Sequence, residues 1–329
     1  MVGYFGSKGT HLRLSRNINQ TFLNAAFSQV RPFATLSSSS SILPNTPMQN
    51  ITFREGTGNS SYHALWVSAN KRLSRGLQFN ASYTWSKSID YNSQSSQGVT
   101  LQDNFNLRGD RGLSDFDARH RFIVSGIYEL PFHRNRLVNG WQLAAVVQTQ
   151  SGNPVTILAG NAGAITGGAP AAQANGLTGN ATLRPDVTGV VPIIPTTATS
   201  AFGIQWFANS VCDPRPGGSC PAGAVFVLPV SVLGGKTVYH FGSQGRNVII
   251  GPTFNNTDFS VIKRTKLTEK TSVEFRAEVF DIFNHANFGQ PGRTAQVGSS
   301  TFGLISNTRS PTGDAGSSRQ FQFALKFKF

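Results

Sequence analysis

The feature that most constrains this chain is a two-residue alternation of apolar and polar side chains that recurs in separate segments. It is clearest in the last eleven residues, RQFQFALKFKF. Alternate side chains of a β-strand point to opposite faces, so this segment predicts a strand with one aromatic face and one polar or basic face. The core of a soluble β-fold and a lipid bilayer are the two environments that suit the apolar face, which consists of Phe321, Phe323, Leu325, Phe327 and Phe329.

Roughly eight segments of this kind are spread along the chain. Four are regular: GLQFNASYTWS, RHRFIVSGIYEL, GWQLAAVVQTQ and SVEFRAEVF. YHALWVSANKRL is less regular because Trp66 lies on the opposite face from Leu65 and Val67; VGYFGSKGTHL and NTDFSVIKRTKL complete the set with the C-terminal segment. Each is near the ten-residue length of a strand that crosses a membrane obliquely.

The connections between these segments alternate strictly between short and long. Three are short: SRG, PFHRNRLVNG and KLTEK. Four are long, and they cover about residues 13–60, 88–118, 151–255 and 285–319. Short periplasmic turns and long extracellular loops are typical of an antiparallel transmembrane β-barrel. A soluble all-β fold is the alternative, although it has no reason to collect every long loop at one end.

The aromatic residues at the segment ends agree with this interpretation. Tyr128 and Trp141 fall at the ends assigned to the periplasm, whereas Tyr62, Tyr83 and Trp85 fall at the loop ends. Membrane barrels carry aromatic girdles at both interfaces. The sequence therefore predicts one girdle at each end of the strands.

Composition excludes several function classes. Charged residues make up only 13% of the 329 residues, and no uninterrupted apolar run reaches the length of a spanning helix, about 18 residues. The net charge of +14 comes from basic residues scattered singly along the chain, without a nucleic-acid motif. We expect neither a bundle of membrane helices nor a nucleic-acid partner.

The two cysteines, Cys212 and Cys220, lie in the segment CDPRPGGSC. Its Pro-Gly-Gly favours a tight turn that brings the sulfurs together. A disulfide-closed loop fits an oxidising compartment, and it is favoured over a metal site because a structural zinc needs four ligands.

No set of residues suggests catalysis. GGKT lacks the preceding glycine of a phosphate-binding loop, and the six histidines show no paired ligand spacing. The charged segment RGDRGLSDFDARHR holds three aspartates but lacks the pattern of a calcium loop. We expect no enzyme, cofactor or metal, and we expect ion pairs between Asp110, Asp115 and Asp117 and the arginines Arg108, Arg111, Arg119 and Arg121.

The long loops are rich in Gly, Ala, Ser, Thr and Pro, as in the serine run at 37–41 and in residues 159–183. Such segments lack the apolar content for a packed core and are expected to be mobile. Two interpretations stay open for them: ligand-facing surface, or a flexible cover without function.

Several motifs, in sequence order, resemble the C-terminal barrel of Oar-like TonB-dependent receptors. They include VGYFGSKGTHL, DRGLSDFDARHRFIVSGIYELPF, NGWQLAAVVQTQSGNPVTI, GRNVIIGPTFNNTDFSVIKRTKL and VEFRAEVFDIFNHANF. These receptors are large outer-membrane proteins, abundant in Acidobacteria and associated with a carboxypeptidase-regulatory-like domain. The resemblance covers nearly the whole chain and is weakest in the long loops.

The resemblance implies a 22-stranded barrel of the Gram-negative outer membrane that imports nutrients too large or scarce for porins. Residues 1–329 would be its C-terminal portion, without the plug domain and signal peptide, contributing about eight strands. Implied partners are outer-membrane lipid and lipopolysaccharide, the assembly machinery that reads the terminal strand, and the TonB complex through an N-terminal region outside this sequence. The nutrient is not identified. The alternative is a self-contained small barrel that acts as an anchor or adhesin, its interior filled by side chains.

Overall fold

Eight long strands form one antiparallel sheet in which each strand pairs with its neighbours in the sequence. The computed structural model describes residues 1–26, 29–33, 48, 50–93, 101–132, 135, 138–160, 183–194, 199–200, 203–309 and 318–329. The strands are β1 (Val2–Asn17), β2 (Thr52–Ser74), β3 (Leu77–Asp90), β4 (His120–Glu129), β5 (Trp141–Gln150), β6 (Phe254–Lys266), β7 (Ser272–Phe280) and β8 (Gln320–Lys328).

Three short turns join the strands at one end of the sheet, which we call the turn end. Between β2 and β3 only Arg75 and Gly76 intervene, with φ angles of 53° and 77°. Positive φ at both positions is the type I′ geometry that matches the twist of paired strands. The other two turns comprise residues 130–140 and 267–271. The predicted alternation of short and long connections is thus present in the sheet.

Four long connections leave from the opposite end, the loop end, and cover residues 18–51, 91–119, 151–253 and 281–319. The first is shorter than the expected 13–60 because β1 and β2 stay paired as far as Asn17 and Thr52. Register shifts around Leu12, next to His11 with its φ of 57°, interrupt the side-chain alternation there. A bulge of this kind breaks the two-residue alternation, so the part of the strand beyond it cannot be recognised from the sequence pattern. The serine run at 37–41 and most of 159–183 lie outside the described residues.

The register brings most of the apolar side chains of the eight strands onto one face, which we call the outward face; Trp66, Ile123 and Val146 are among those on the opposite face. Rows of paired residues run across the sheet; in one of them Val261, Ala277 and Phe323 follow one another on β6, β7 and β8. The apolar members of this face are Val2, Tyr4, Leu65, Val67, Ala69, Phe79, Ala81, Tyr83, Trp85, Phe122, Val124, Tyr128, Trp141, Leu143, Ala145, Val147, Phe259, Val261, Val273, Phe275, Ala277, Val279, Phe321, Phe323, Leu325 and Phe327.

The opposite, inner face is mainly polar and charged. Its amide and hydroxyl side chains include Asn80, Ser82 and Gln142, and its charged groups concentrate on β6, β7 and β8. Such alternation across the sheet of β1–β8, which we call the wall, is typical of an outer-membrane barrel, with lipid on one side and a polar lumen on the other.

The sheet is open. Among the described residues β1 pairs only with β2, and β8 pairs only with β7, so each leaves one edge free. The open sheet differs from the closed small barrel that the anchor or adhesin alternative requires. No helix in the described ranges is long and apolar enough to cross a membrane; the one helical segment we assign there is the 3₁₀ turn Leu107–Asp110.

The described residues of 151–253 and 281–309 pack together into what we call the loop module. Its centre is a trio of rings, Phe207, Phe226 and Phe302, in edge-to-face contact with centroids 5.1–5.9 Å apart. Around the trio lie Val155, Ile157, Leu183, Val211, Leu228, Val230, Tyr239, Ile249 and Ala295. The folded core of the molecule therefore sits in its loops.

Short strands hold the module together. Two three-stranded sheets contain Asp186–Val187, Phe226–Val227 and Val211–Cys212, and Thr199–Ser200, Gly203–Gln205 and Leu304–Ile305. Paired strands are Val230–Leu233 with Lys236–Tyr239, Pro154–Val155 with Ile249–Ile250, and Leu158–Ala159 with Thr294–Ala295. Elsewhere, Phe22–Leu23 pairs with Gln29–Val30, and Gly112–Leu113 pairs antiparallel with the end of β3.

Candidate functional site

The C-terminal strand presents its aromatic face to the surroundings. Phe321, Phe323 and Phe327 are 62%, 68% and 56% exposed, and Leu325 and Phe329 are exposed as well. Each large apolar side chain is favoured by about 1.5–3 kcal/mol when it leaves water. A strand that shows five of them on one side is therefore suited to contact with lipid.

The lysines of the same strand lie on the inner face, where Lys326 pairs across the sheet with Glu274. A one-residue slip of β8 would turn Lys326 and Lys328 outward. An outward lysine costs up to about 2–4 kcal/mol at the bilayer midplane and less towards the interface. The register of β8 is accordingly well determined.

Four of the five aromatic residues named for the girdles lie on the outward face. Tyr83 and Trp85 lie towards the loop end of β3, and Tyr128 and Trp141 lie towards the turn end of β4 and β5. The Tyr83 hydroxyl is 2.7 Å from Nδ1 of His120 on the neighbouring strand.

Tyr62 differs from the girdle residues, because the register places it on the inner face opposite Ser88. Its ring contacts Phe5, with centroids 6.0 Å apart, and Trp66 lies on the same face. Its assignment to the girdle is therefore wrong: the expectation rested on its height along the strand and ignored the alternation of faces.

A carboxylate surrounded by three cations joins the last three strands on the inner face. Glu274 on β7, 2% exposed, accepts from Arg264 Nε on β6 at 2.8 Å and from Arg276 Nε at 2.6 Å. Lys328 Nζ on β8 approaches it at 3.4 Å. Sequence reasoning missed this cluster, although Arg264, Glu274 and Lys328 all fall on the polar side of their strands.

The aspartates of the segment 108–121 do form ion pairs, but mostly with arginines far away in the sequence. Asp110 pairs with Arg184 at 2.5 Å, and Asp115 pairs with Arg246 at 3.3 Å. Of the four arginines expected as partners, Arg119 is the one that lies near a carboxylate of the described part of the chain, 4.0 Å from Asp117. The other pairings were wrong because the loop module, invisible in the sequence pattern, supplies nearer cations.

Asp110 is the most enclosed of these carboxylates, at 1% exposed. Burial raises its pKa above the ordinary value, and the charge and hydrogen bonds of Arg184 oppose that rise. The backbone N–H of Gln102 donates to the second oxygen of Asp110 at 3.0 Å, and Arg184 Nε donates to the backbone carbonyl of Gln244 at 2.8 Å. The pair fastens the connection 91–119 to the loop module.

Arg246 forms a second set of ion pairs between the loop module and the rest of the chain. Its guanidinium donates to the carboxylate of Asp90, the last residue of β3, at 2.7 Å and also reaches Asp115. Next to it, the Asn247 side chain donates to the Leu113 carbonyl at 2.7 Å and to Asp115 at 2.6 Å. Arg246 thereby links the module directly to the wall.

The module also contains a disulfide between Cys212 and Cys220. Inside the closed loop, Arg215 NH2 pairs with Asp213 at 2.6 Å, and both side chains are buried. Burial alone would raise the pKa of Asp213, but the hydrogen bonds and charge of Arg215 outweigh it and hold that pKa below its ordinary value. A buried charge pair of this kind fixes the shape of the loop.

Two cavities open near the loop end of the wall. The larger, about 610 Å³, is lined by Asn92, Asp115, Pro154, Val155, Thr156, Leu158, Arg184, Arg246, Asn247, Gln290, Pro291, Gly292 and Arg293. The smaller, about 300 Å³, has Tyr62, Phe116, Asp117, Arg121 and Gln150 among its lining residues, several of them on the inner face. Both combine hydrogen-bonding groups with apolar surface, as binding sites for small molecules do.

No group of three or more potential metal-ligating side chains (His, Cys, Asp, Glu) occurs in the part of the chain that the structure describes. The two cavities are lined by hydrogen-bonding and charged side chains. Such linings suit recognition of a ligand.

Comparison with known families agrees with the architecture of the wall. A family model described as an outer membrane beta barrel domain matches residues 1–322. A search of curated proteins gives no match to the chain. The family occupies the outer membrane, where the apolar outward face meets lipid. On the match over nearly all of its length, the chain belongs to the outer membrane beta barrel domain family.

Proposed function

We propose that this chain forms the C-terminal part of the barrel of a TonB-dependent, Oar-like outer-membrane receptor that imports a nutrient too large or too scarce for porins. The observation that carries the proposal is the open eight-stranded wall. Lipid cannot satisfy the free backbone groups along β1 and β8. Further strands are needed to complete the barrel, as in a 22-stranded transporter.

The inner face supports a large lumen over a small one. An eight-stranded barrel has an interior just wide enough for its own side chains. Here the inner face carries the charged cluster around Glu274 and a cavity bordered by Tyr62 and Arg121. These groups suit contact with a plug or a passing solute. The proposal contains no catalytic step.

The folded loop module supports a role in ligand capture. A mere cover needs no core, whereas this module has one and places Arg184 and Arg246 beside a cavity of about 610 Å³. Both arginines are held by carboxylates, so their positions are fixed before a ligand arrives. Preorganisation of this kind lowers the entropy lost on binding.

The test is to isolate, from native outer membranes, the protein that contains this chain and to crosslink it in the membrane to the TonB-type transducer. We expect a species much larger than the 35.4 kDa of residues 1–329, and a specific crosslink. A 35.4 kDa outer-membrane protein without a crosslink would overturn the proposal in favour of the small anchor or adhesin barrel.

A further inference from the structure

The outward face of β1, β2 and β3 changes from apolar to basic near its loop end. From the turn end upwards, Phe79, Ala81, Tyr83 and Trp85 follow one another on β3, and Lys87 comes next. From Phe79 to Lys87 the strand covers about 27 Å at roughly 3.4 Å per residue, or about 21 Å in height at a typical barrel tilt. Lys87 therefore lies where the outer leaflet's headgroups begin.

Above this level a groove of about 210 Å³ opens on the outward face. Lys8 on β1, Ser61 on β2 and Ile89 on β3 form one row across its floor. Tyr91 and Arg111, from the connection that follows β3, border it as well. We call these five residues the outer basic groove.

The groove has cations without matching anions. Its lining contains Lys8 and Arg111 and no aspartate or glutamate. Both side chains are exposed, and within the described residues neither forms one of the ion pairs found there. This contrasts with Arg184 and Arg246, whose guanidinium groups are already held by carboxylates.

Hydrogen-bonding groups and an apolar surface complete the recognition chemistry. Asn59, Ser61 and Tyr91 bring amide and hydroxyl groups to the groove. Below it, Leu65 and Trp85 continue the apolar outward face, 38% and 50% exposed. A ligand that fits the whole surface carries negative charge at one end and hydrocarbon at the other.

We propose that the outer basic groove binds the phosphorylated headgroup of an outer-leaflet lipid, whose acyl chains lie along the apolar surface below. Lys8 and Arg111 supply charge-assisted hydrogen bonds to the phosphate oxygens. The site is separate from the lumen and from the cavities of the loop module. It depends on membership of the outer-membrane barrel family and stands independently of TonB-dependent transport.

The test uses the protein that contains this chain, purified from outer membranes in mild detergent, and native mass spectrometry with bisphosphorylated lipid A. Dephosphorylated lipid A and phosphatidylethanolamine are the lipid comparisons, and an excess of inorganic phosphate serves as competitor. The variant is the double substitution Lys8→Gln with Arg111→Gln. The matched control, Lys71→Gln with Arg75→Gln, removes two charges at the turn end.

We expect the groove variant to bind bisphosphorylated lipid A about 30-fold more weakly, from roughly 1 kcal/mol per basic residue near the surface. The control should bind as the unaltered protein does, and dephosphorylated lipid A should bind no better than phosphatidylethanolamine. Equal binding by variant and control would overturn the proposal. So would full displacement by inorganic phosphate, which would identify a site for the free anion. Heat-modifiable migration of both variants verifies that they are folded.

Discussion

The wall and the loop module use the same apolar side chains in opposite ways. Phe323 in the wall is 68% exposed, whereas Phe302 in the module is 1% exposed. In the module, rings pack against rings and exclude water. In the wall, they form a continuous outward face that the other described residues leave exposed. Each half is built for a different solvent, water around the module and hydrocarbon around the wall.

The difference extends to the charges. The module and its junction hold buried pairs such as Asp110–Arg184 and Asp213–Arg215. The wall keeps its charged cluster on the inner face, around Glu274, away from lipid. In the wall, a charge avoids hydrocarbon either by facing inward, as Glu274 does, or by lying near the end of its strand, as the outward-facing Lys87 does. Substitutions that change the apolar and charged side chains of the wall or of the loop module test this difference between the two regions.

The largest effect is expected from removing the end of the wall. Deletion of Phe329, or of residues 327–329, takes away part of the aromatic face on which recognition by the assembly machinery would depend. We expect a severe loss from the outer membrane of the protein that contains this chain, measured by surface labelling. Phe283→Ala, which removes an exposed ring outside the eight strands, is the control. Unchanged surface levels after the deletion would contradict the proposed role of the terminal strand.

Next in size is a change to the core of the module. Phe302→Ala removes a ring that contacts both Phe207 and Phe226, and it should destabilise the module by about 3–5 kcal/mol. Faster cleavage of the loops in limited proteolysis of intact membranes is the measurement. The matched change Phe323→Ala leaves no enclosed cavity and should leave loop cleavage unchanged. Equal cleavage rates for both variants would remove the distinction between the two regions.

A charge placed on the wall should discriminate between its two faces. Phe323→Arg directs a guanidinium towards lipid and should destabilise the barrel by up to about 2–4 kcal/mol, depending on depth. Gln322→Arg, one residue away on the inner face, should cost far less. Urea unfolding in lipid vesicles gives both values. If the inner-face variant were the less stable of the two, our assignment of the faces would be reversed.

The smallest expected effect is the loss of stability of the disulfide loop at low pH. Because the pKa of Asp213 is lowered in the folded module, its pair with Arg215 stabilises the disulfide loop above the ordinary carboxyl pKa. That contribution should disappear as pH falls below roughly 4 and through the lowered pKa. Hydrogen exchange of the loop should therefore differ between the unaltered protein and Asp213→Asn at neutral pH and converge in acid. A difference that persists in acid would exclude this pair as its source.

The wall could be predicted from the sequence because its information is local. A period of two identifies each strand, and the turns 74–76, 131–140 and 266–270 follow from the gaps between strands. The prediction weakened where the backbone leaves that period, at the bulge near His11 and Leu12. The prediction was also wrong at Tyr62, because it used the position of this residue along the strand and ignored the face of the sheet on which the side chain lies.

The module could not be predicted in the same way. Its strands are two to four residues long, too short for a periodic pattern. The rings of its core, Phe207, Phe226 and Phe302, come from distant positions without a common spacing. Arg184 and Arg246 likewise reach their carboxylates across many residues. The low-complexity composition of residues 159–183 gave no indication that other residues of the same long connection form part of the folded loop module.

The position of Arg246 has a mechanical consequence. Its guanidinium lines the larger cavity and also holds Asp90, where β3 ends. A solute that displaces Arg246 must either break that ion pair or pull on the rim of the barrel. Displacement of Arg246 by a solute in the cavity would then transmit strain to the end of a single strand, β3.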